Sequence, residues 1–290
     1  MTNGAEGSDL AIVAMKPANK SSSGDAEQAE RRAGTEGTPE QQSTCRTQSR
    51  ESVTQALDRI RQAARSGKGE KFTSLFHHIS PEMLMTAYYA LSPKAAAGVD
   101  GMTWAEYGQN LEARLLDLHD RVQRGRYVPQ PSRRTYIPKA DGRQRPLAVA
   151  ALEDKIVQGA VVMVLNAVYE EHFLGFSYGF RPGRGPHDAL DALAAGIDVR
   201  KVNFIVDADI RSFFDSVSQD WLVRFVEHRI GDRRIVRLIR KWLRAGILED
   251  GTVTVSETGT GQGSVISPLL ANIYRNCSPR PGERLAGSFG

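Results

Sequence analysis

The spacing of apolar and polar positions predicts a succession of mostly helical elements. Over residues 53–64, V-T-Q-A-L-D-R-I-R-Q-A-A has a helical period, and Ser66, Gly67, Lys68 and Gly69 break it. Residues 72–91 read as helical with an interruption at Ser80 and Pro81, where Ser80 can cap and Pro81 can take the first helical position. Residues 97–102 form a glycine-bracketed loop. Thr103 can cap the next helix, with Glu106 as its capping-box partner. That helix runs to about Gln123 and stops at Gly125. Residues 133–137 predict a strand, Ala140, Asp141 and Gly142 a turn, and residues 143–149 a return strand. Residues 152–173 carry an i, i+4 apolar stripe through Ile156, Ala160, Val164 and Val168, the mark of a strong helix.

The second half continues with a Gly/Pro/aromatic loop at 176–186 and a short helix from His187. Residues 202–209 predict a strand. Phe204, Val206, Ala208 and Ile210 fall on one face; Ile205, Asp207, Asp209 and Arg211 fall on the other. Residues 219–229 predict a helix, and Asp232 caps another that reaches Leu243. In that second helix Ile235, Leu238, Ile239, Trp242 and Leu243 face inward, and Arg233, Arg237, Arg240, Lys241 and Arg244 outward. Residues 247–256 read as a hairpin around Asp250 and Gly251, residues 259–264 as a glycine-rich loop, and residues 265–274 as helix. The flanks lack such periods. Residues 1–52 are rich in Gly, Ser, Thr, Gln, Glu and Ala, too poor in core formers to offset ordering entropy, and are expected to be disordered. After Tyr274 the period is lost in R-N-C-S-P-R-P-G-E-R-L-A-G-S-F-G, a divergent tail over 277–290.

Composition narrows the class. Hydrophobic residues make up 40% of the chain, consistent with a globular protein, and no apolar run nears the ~20 residues of a membrane helix. The stretch L-A-I-V-A-M at 10–15 is too short for a signal-peptide core, so a cytoplasmic location without membrane contact is expected. Cys45 and Cys277 form no zinc or disulfide pattern, and the adjacent His77 and His78 lack the spacing of a helical metal site. The net charge of +4 is uneven. Residues 121–145 hold eight Lys/Arg against one acid, and residues 224–244 hold eight against two. Such clusters suit a polyanion; they equally suit solvated helix faces.

The aspartates in V-D-A-D-I-R-S-F-F-D invite chemistry. Asp207 and Asp209 project together from the predicted strand end, where their hard oxygens could bind a divalent metal. A solvated strand tip or a cap for the next segment would account for them as well. The order of other motifs bears on the choice. Upstream lie Ile137-Pro138-Lys139, Arg143-Gln144-Arg145-Pro146-Leu147, and Phe176-Ser177-Tyr178-Gly179-Phe180-Arg181-Pro182-Gly183. Downstream lies Gln262-Gly263 within Q-G-S-V-I-S-P-L-L-A-N-I-Y.

In this order, over roughly residues 72–274, these motifs resemble the reverse transcriptase domain of group II intron-encoded reverse transcriptase/maturases. The resemblance implies an α+β right-hand fold: helical fingers at about 53–200, a partial palm sheet at about 201–276, and no thumb. It implies RNA-directed DNA polymerase chemistry with Mg²⁺, an RNA template, a DNA primer and deoxynucleotide triphosphates. By the same resemblance Asp209 is the first catalytic aspartate and a ligand of both metal ions, with the carbonyl of Ile210 as a backbone ligand. Phe214 is the aromatic gate against a ribose 2′-hydroxyl. Lys139 and Arg145 hold the triphosphate, and Gln262 and Gly263 lie against nucleotide and template. Asp207 and Asp215 are neighbours, not assigned as ligands. Arg133, Arg134, Arg181, Arg237, Arg240, Lys241 and Arg244 are candidate RNA contacts.

The chain departs from the family pattern in three places. Ala148, Val149 and Ala150 stand where Gly-Ile-Pro is usual, and Gly261 replaces the proline before Gln-Gly. The second catalytic element of the family, Tyr-x-Asp-Asp, occurs nowhere in these 290 residues. The expectation is a C-terminally truncated reverse transcriptase that is inactive alone; a non-catalytic RNA-binding fragment is the alternative. A partner chain supplying the missing motif, and the oligomeric state, stay open.

Overall fold

The computed structural model describes residues 39–67, 69–138, 142, 144–200, 202–210 and 212–277, with side chains from Glu51 onward up to Asn276. Lys139, Arg143 and the turn at Ala140 and Asp141 lie outside the described residues, as do residues 1–38 and the tail 278–290. The helix expected from Val53 begins earlier: α1 spans Pro39–Ser66 and ends where the Ser-Gly pair predicts.

The following elements are α2 (Pro81–Ala90), α3 (Trp104–Gly108), α4 (Leu111–Gln123), the strands β1 (Ser132–Pro138) and β2 (Gln144–Val149), then α5 (Leu152–Tyr169) and α6 (Pro186–Arg200). Next come a single turn, α7 (Phe213–Ser216), and α8 (Gln219–Arg229), α9 (Arg233–Leu243), β3 (Ile247–Glu249), β4 (Thr252–Thr254) and α10 (Ser267–Cys277). Capping predictions hold at the atomic level. Ser80 Oγ accepts from Met83 N, and Thr103 and Glu106 exchange both bonds of a capping box. The Asp250-Gly251 turn has φ of 48° and 79°, the pair of positive values a two-residue hairpin with right-twisted strands requires.

The sheet has the order β2-β1-β3-β4. β1 pairs antiparallel with β2, with Ile137 opposite Arg145, and parallel with β3 through Ser132 and Arg133. Behind it lies a core centred on α5. Ile156, Val157, Ala160, Val161, Val164, Leu165, Ala167 and Val168 are all fully buried, so this helix is apolar almost all round rather than along one stripe. It packs on α2, where Gly159 comes close to Ala87, and on α10. Tyr88 of α2 stacks on Trp104 at 4.7 Å, and each donates to the other's carbonyl oxygen.

Besides the expected disorder of residues 1–52, which α1 contradicts from Pro39 onward, two further expectations fail. Residues 72–79 are not an α-helix. Phe72 N donates to Arg229 O at 2.9 Å, and Leu75 N and Phe76 N both donate to Asp232 Oδ2 at 2.9 Å, leaving only a 3-10 turn at Phe76–His78. A distant carboxylate has captured amides that a helix would have used. Asp232 still caps α9 through Arg234 N, and these three N–H donors hold its carboxyl below the usual range despite burial. The second failure is the strand at 202–209. This stretch has no regular structure and lies exposed, with Phe204 at 88% and Val206 at 87%. A strand is stabilised by pairing along its edge, and no described strand lies beside this one.

Candidate active-site cleft

Four parts of the chain meet at a cleft of about 680 Å³. β2 contributes Arg145 and Pro146, the loop before α6 contributes Gly179 and Phe180, and the segment into α7 contributes Ala208, Asp209, Ile210, Phe214 and Asp215. Gln262 and the α10 residues Ala271, Asn272 and Arg275 complete it. Arg145, Asp209, Ile210, Phe214 and Gln262 are thus brought together from positions up to 117 residues apart. Lys139 is outside the described residues. Gly263 adjoins the cleft without lining it.

Backbone geometry explains how these residues are held. Ser212 takes the left-handed conformation at φ 49°, turning the chain into α7. Phe213 and Phe214 meet edge to face at 5.6 Å, and Phe213 meets Tyr274 of α10 at 6.3 Å. Thr260 N donates to Phe214 O at 2.8 Å. Gly259, at φ 84°, approaches so closely that a Cβ there would lie 2.9 Å from Phe214 O. The Gln-Gly loop is clamped on its other side, where Ala148 N donates to Gln262 O at 2.7 Å. Gly263, at φ 104°, would place a Cβ 3.1 Å from Ala148 O. Glycine is required at both positions.

The two loop departures from the family pattern prove to be neighbours. A Cβ on Gly261 would sit 3.7 Å from Ala148 Cβ.

The opposite wall depends on Arg181, which corrects one expectation. Its side chain is 2% exposed, paired with Glu170 at 2.8 Å, and donates to Leu174 O and Ser177 O. It pins the loop from inside and has no surface to offer RNA. Phe180, beside it, is held at φ 55°, a strained value for a bulky residue. Asn272 Nδ2 donates to Gly179 O at 2.9 Å and ties the same loop to α10. Sequence reasoning missed Asn272, although a buried polar residue in an apolar helix was a readable sign.

Of the other candidate RNA contacts, Arg237 on α9 and Arg244 just after it lie exposed, and Arg240 pairs with Glu227 at 2.8 Å. Lys241 donates to the carbonyls of Gly125 and Tyr127, Arg133 to Ala97 O, and Arg134 lies 3.4 Å from Glu249. Among the described residues, no group of three or more His, Cys, Asp or Glu is placed to hold a metal, and no helix is long and apolar enough to cross a membrane. Asp209, Ile210 and Asp215 line the cleft; carboxylate and carbonyl oxygens are the donor types magnesium takes, completing its shell with water and phosphate.

Residues 137–283 match the reverse transcriptase (RNA-dependent DNA polymerase) family. Protein YkfC of Escherichia coli K12 is 38% identical over 68% of this chain and 53% of its own length. Group II intron-encoded protein LtrA of Lactococcus lactis subsp. cremoris is 33% identical over 75% of this chain and 36% of its own. An uncharacterised 91 kDa protein in the cob intron of Schizosaccharomyces pombe is 36% identical over 73% and 26%. The chain therefore spans about half or less of the length of these relatives. Among solved structures, a chain of a partial Cas6-RT-Cas1–Cas2 complex aligns with TM-score 0.45 and 22% identity over 68% of this chain and 33% of that one.

Proposed function

Because the chain belongs to the reverse transcriptase (RNA-dependent DNA polymerase) family, we propose that its cleft is one half of a site for adding deoxynucleotides to a DNA primer on an RNA template. The supporting observation is the convergence of Arg145, Asp209, Ile210, Phe214 and Gln262 on one cavity. In this reading Asp209 and the Ile210 carbonyl hold magnesium. Arg145, with Lys139, neutralises the triphosphate, where cationic donors stabilise charge developing on the leaving pyrophosphate. Phe214 narrows the space beside the sugar, favouring a deoxyribose. Gln262 and Gly263 set the floor under nucleotide and template, the glycine allowing close backbone approach. Bound magnesium would supply Lewis acidity at the reacting phosphate and primer hydroxyl.

That chemistry draws on acidic ligands on both sides of an ion pair. The 290 residues contain Asp209 but no Tyr-x-Asp-Asp. We therefore expect no useful primer extension from this chain by itself. Primer extension on an RNA template with purified protein is the test: Mg²⁺-dependent cDNA that Asp209→Ala abolishes would overturn the expectation. RNA binding without catalysis is favoured by a separate observation, the exposed Arg233, Arg237 and Arg240 along α9 with exposed Arg244 just past its end. It predicts affinity that falls steeply with salt, because phosphate contacts release counterions.

A further inference from the structure

A pocket of about 440 Å³ lies where residues 70–73, after α1, cross the turn between α8 and α9. Lys71, Arg233, Arg237 and Arg240 line it with a single acid, Glu227. The backbone fixes this meeting. Phe72 N donates to Arg229 O at 2.9 Å, and Gly231 N and Asp232 N both donate to Phe72 O. These bonds bring Lys71 to one pocket with Arg233, 162 residues further along the chain.

The charges there are not neutralised within the protein. Arg240 pairs with Glu227 at 2.8 Å, which uses the one acid of the lining. Asp232, adjacent to Arg233 in sequence, is buried and accepts from the amides of Leu75, Phe76 and Arg234. Lys71, Arg233 and Arg237 are exposed and have no ion-pair partner among the described residues. Arg233, Arg237 and Arg240 stand four and three residues apart, the spacing at which like charges weaken a helix. α9 is anchored instead by Ile235, Val236, Leu238 and Ile239, all buried. Accessible cations gathered in one concavity focus a field that draws an anion.

The surroundings favour a polymer over a lone phosphate. Arg237 also lines an adjoining cavity of about 130 Å³, together with Arg124, Arg234 and Lys241. Among the described residues no acid lines that second cavity. Two cavities that share one arginine make a cationic track, and regularly repeated negative charge is the property of a nucleic-acid backbone. Resting on the reading of α9 as an RNA-binding face, we propose that the larger pocket seats a backbone phosphate of the bound RNA between Lys71, Arg233 and Arg237, and that the strand continues past Arg237 along the second cavity. The site is then built from two distant parts of the chain, not from α9 alone.

The test uses the full chain, a short fluorescent single-stranded RNA and a salt titration. Lys71→Gln should weaken RNA binding about fivefold and lower the slope of log affinity against log salt by ~0.7, the share of one phosphate contact. Arg233→Gln and Arg237→Gln should each do the same. Arg244→Gln, at an exposed residue that lines neither cavity, should weaken binding only about twofold. Lys94→Gln, at an exposed lysine elsewhere, should leave it unchanged. All five side chains are exposed, so each variant should unfold at the wild-type temperature. A second readout separates RNA from free phosphate. RNA should protect the Lys71 amine from acetylation, followed by mass spectrometry, and inorganic phosphate at the same phosphate concentration should not. If Lys71→Gln binds RNA as wild type does while Arg237→Gln and Arg244→Gln weaken it equally, the pocket inference fails and the α9 reading stands. Equal protection by inorganic phosphate would overturn the RNA assignment in favour of a free-anion site. RNA that does not bind, or binds unaltered by every one of these substitutions, would sink both.

Discussion

Residues 156–168 and residues 204–210 are both rich in apolar residues, yet the first run is buried at most of its positions and every residue of the second is exposed. The first is helical, and a helix satisfies its own backbone groups along its length, so α5 needs neighbours only for its side chains. α2 and α10 provide them. A strand borrows its hydrogen bonds from another strand. Among the described residues the 204–210 run finds none, and α6 before it likewise buries no residue, with Leu190, Leu193 and Val199 exposed. Asp209 sits on that second region.

The contrast is broken most directly by paired substitutions. Leu165→Ala should cost about 3 kcal/mol, through lost burial and the cavity left behind. Phe204→Ser should change stability by no more than about 0.5 kcal/mol and should reduce aggregation. Urea midpoints of the two variants decide it. A Phe204→Ser cost comparable with that of Leu165→Ala would mean that the 204–210 run is covered in solution.

Buried and exposed carboxylates sharpen the same contrast through pH. Asp154 is 3% exposed; burial raises its carboxyl to about 6, against the opposing donations of the Tyr127 hydroxyl and Gln130 N. The folded state thus holds this proton more tightly than the unfolded chain does. Stability from this group is greatest below about pH 4, declines as pH rises, and is lost above about pH 6, a swing of about 3 kcal/mol. Asp154→Asn should remove that component, so its stability relative to wild type should rise between pH 4 and pH 7. Parallel denaturation curves for the two proteins across this range would contradict it.

How much could be read from the residues follows the same division. The capping box at Thr103, the Asp250-Gly251 turn and the β1–β2 hairpin were legible because each is written in a few adjacent residues. The Asp209, Phe214, Gln262 and Arg145 cluster was legible through motif order and converges on one cleft. What escaped depends on distant groups. Nothing near Leu75 announces that the Asp232 carboxylate will take its amide. Nothing near Arg181 announces the Glu170 and carbonyl partners that bury it. The 202–209 segment has the residue pattern of a strand, yet it pairs with no strand among the described residues.

The Gln-Gly loop joins the two regions, anchored to β2 on one side and lining the cleft on the other, so it permits the finest test. Gly263 has φ 104° and a Cβ there would crowd Ala148 O, so Gly263→Ala should destabilise by about 1–2 kcal/mol. Gly261 has neither feature. A Cβ there meets Ala148 Cβ at an ordinary 3.7 Å, and Gly261→Ala should fall within about 0.5 kcal/mol of wild type. Because those two side chains would touch, Ala148→Gly combined with Gly261→Ala should depart from additivity by about 0.5 kcal/mol, whereas Ala148→Gly with Phe204→Ser should add. Strict additivity in both pairs would show that the two loop departures are independent. Coupling in both would tie the exposed run to the core that the fold as described leaves it outside.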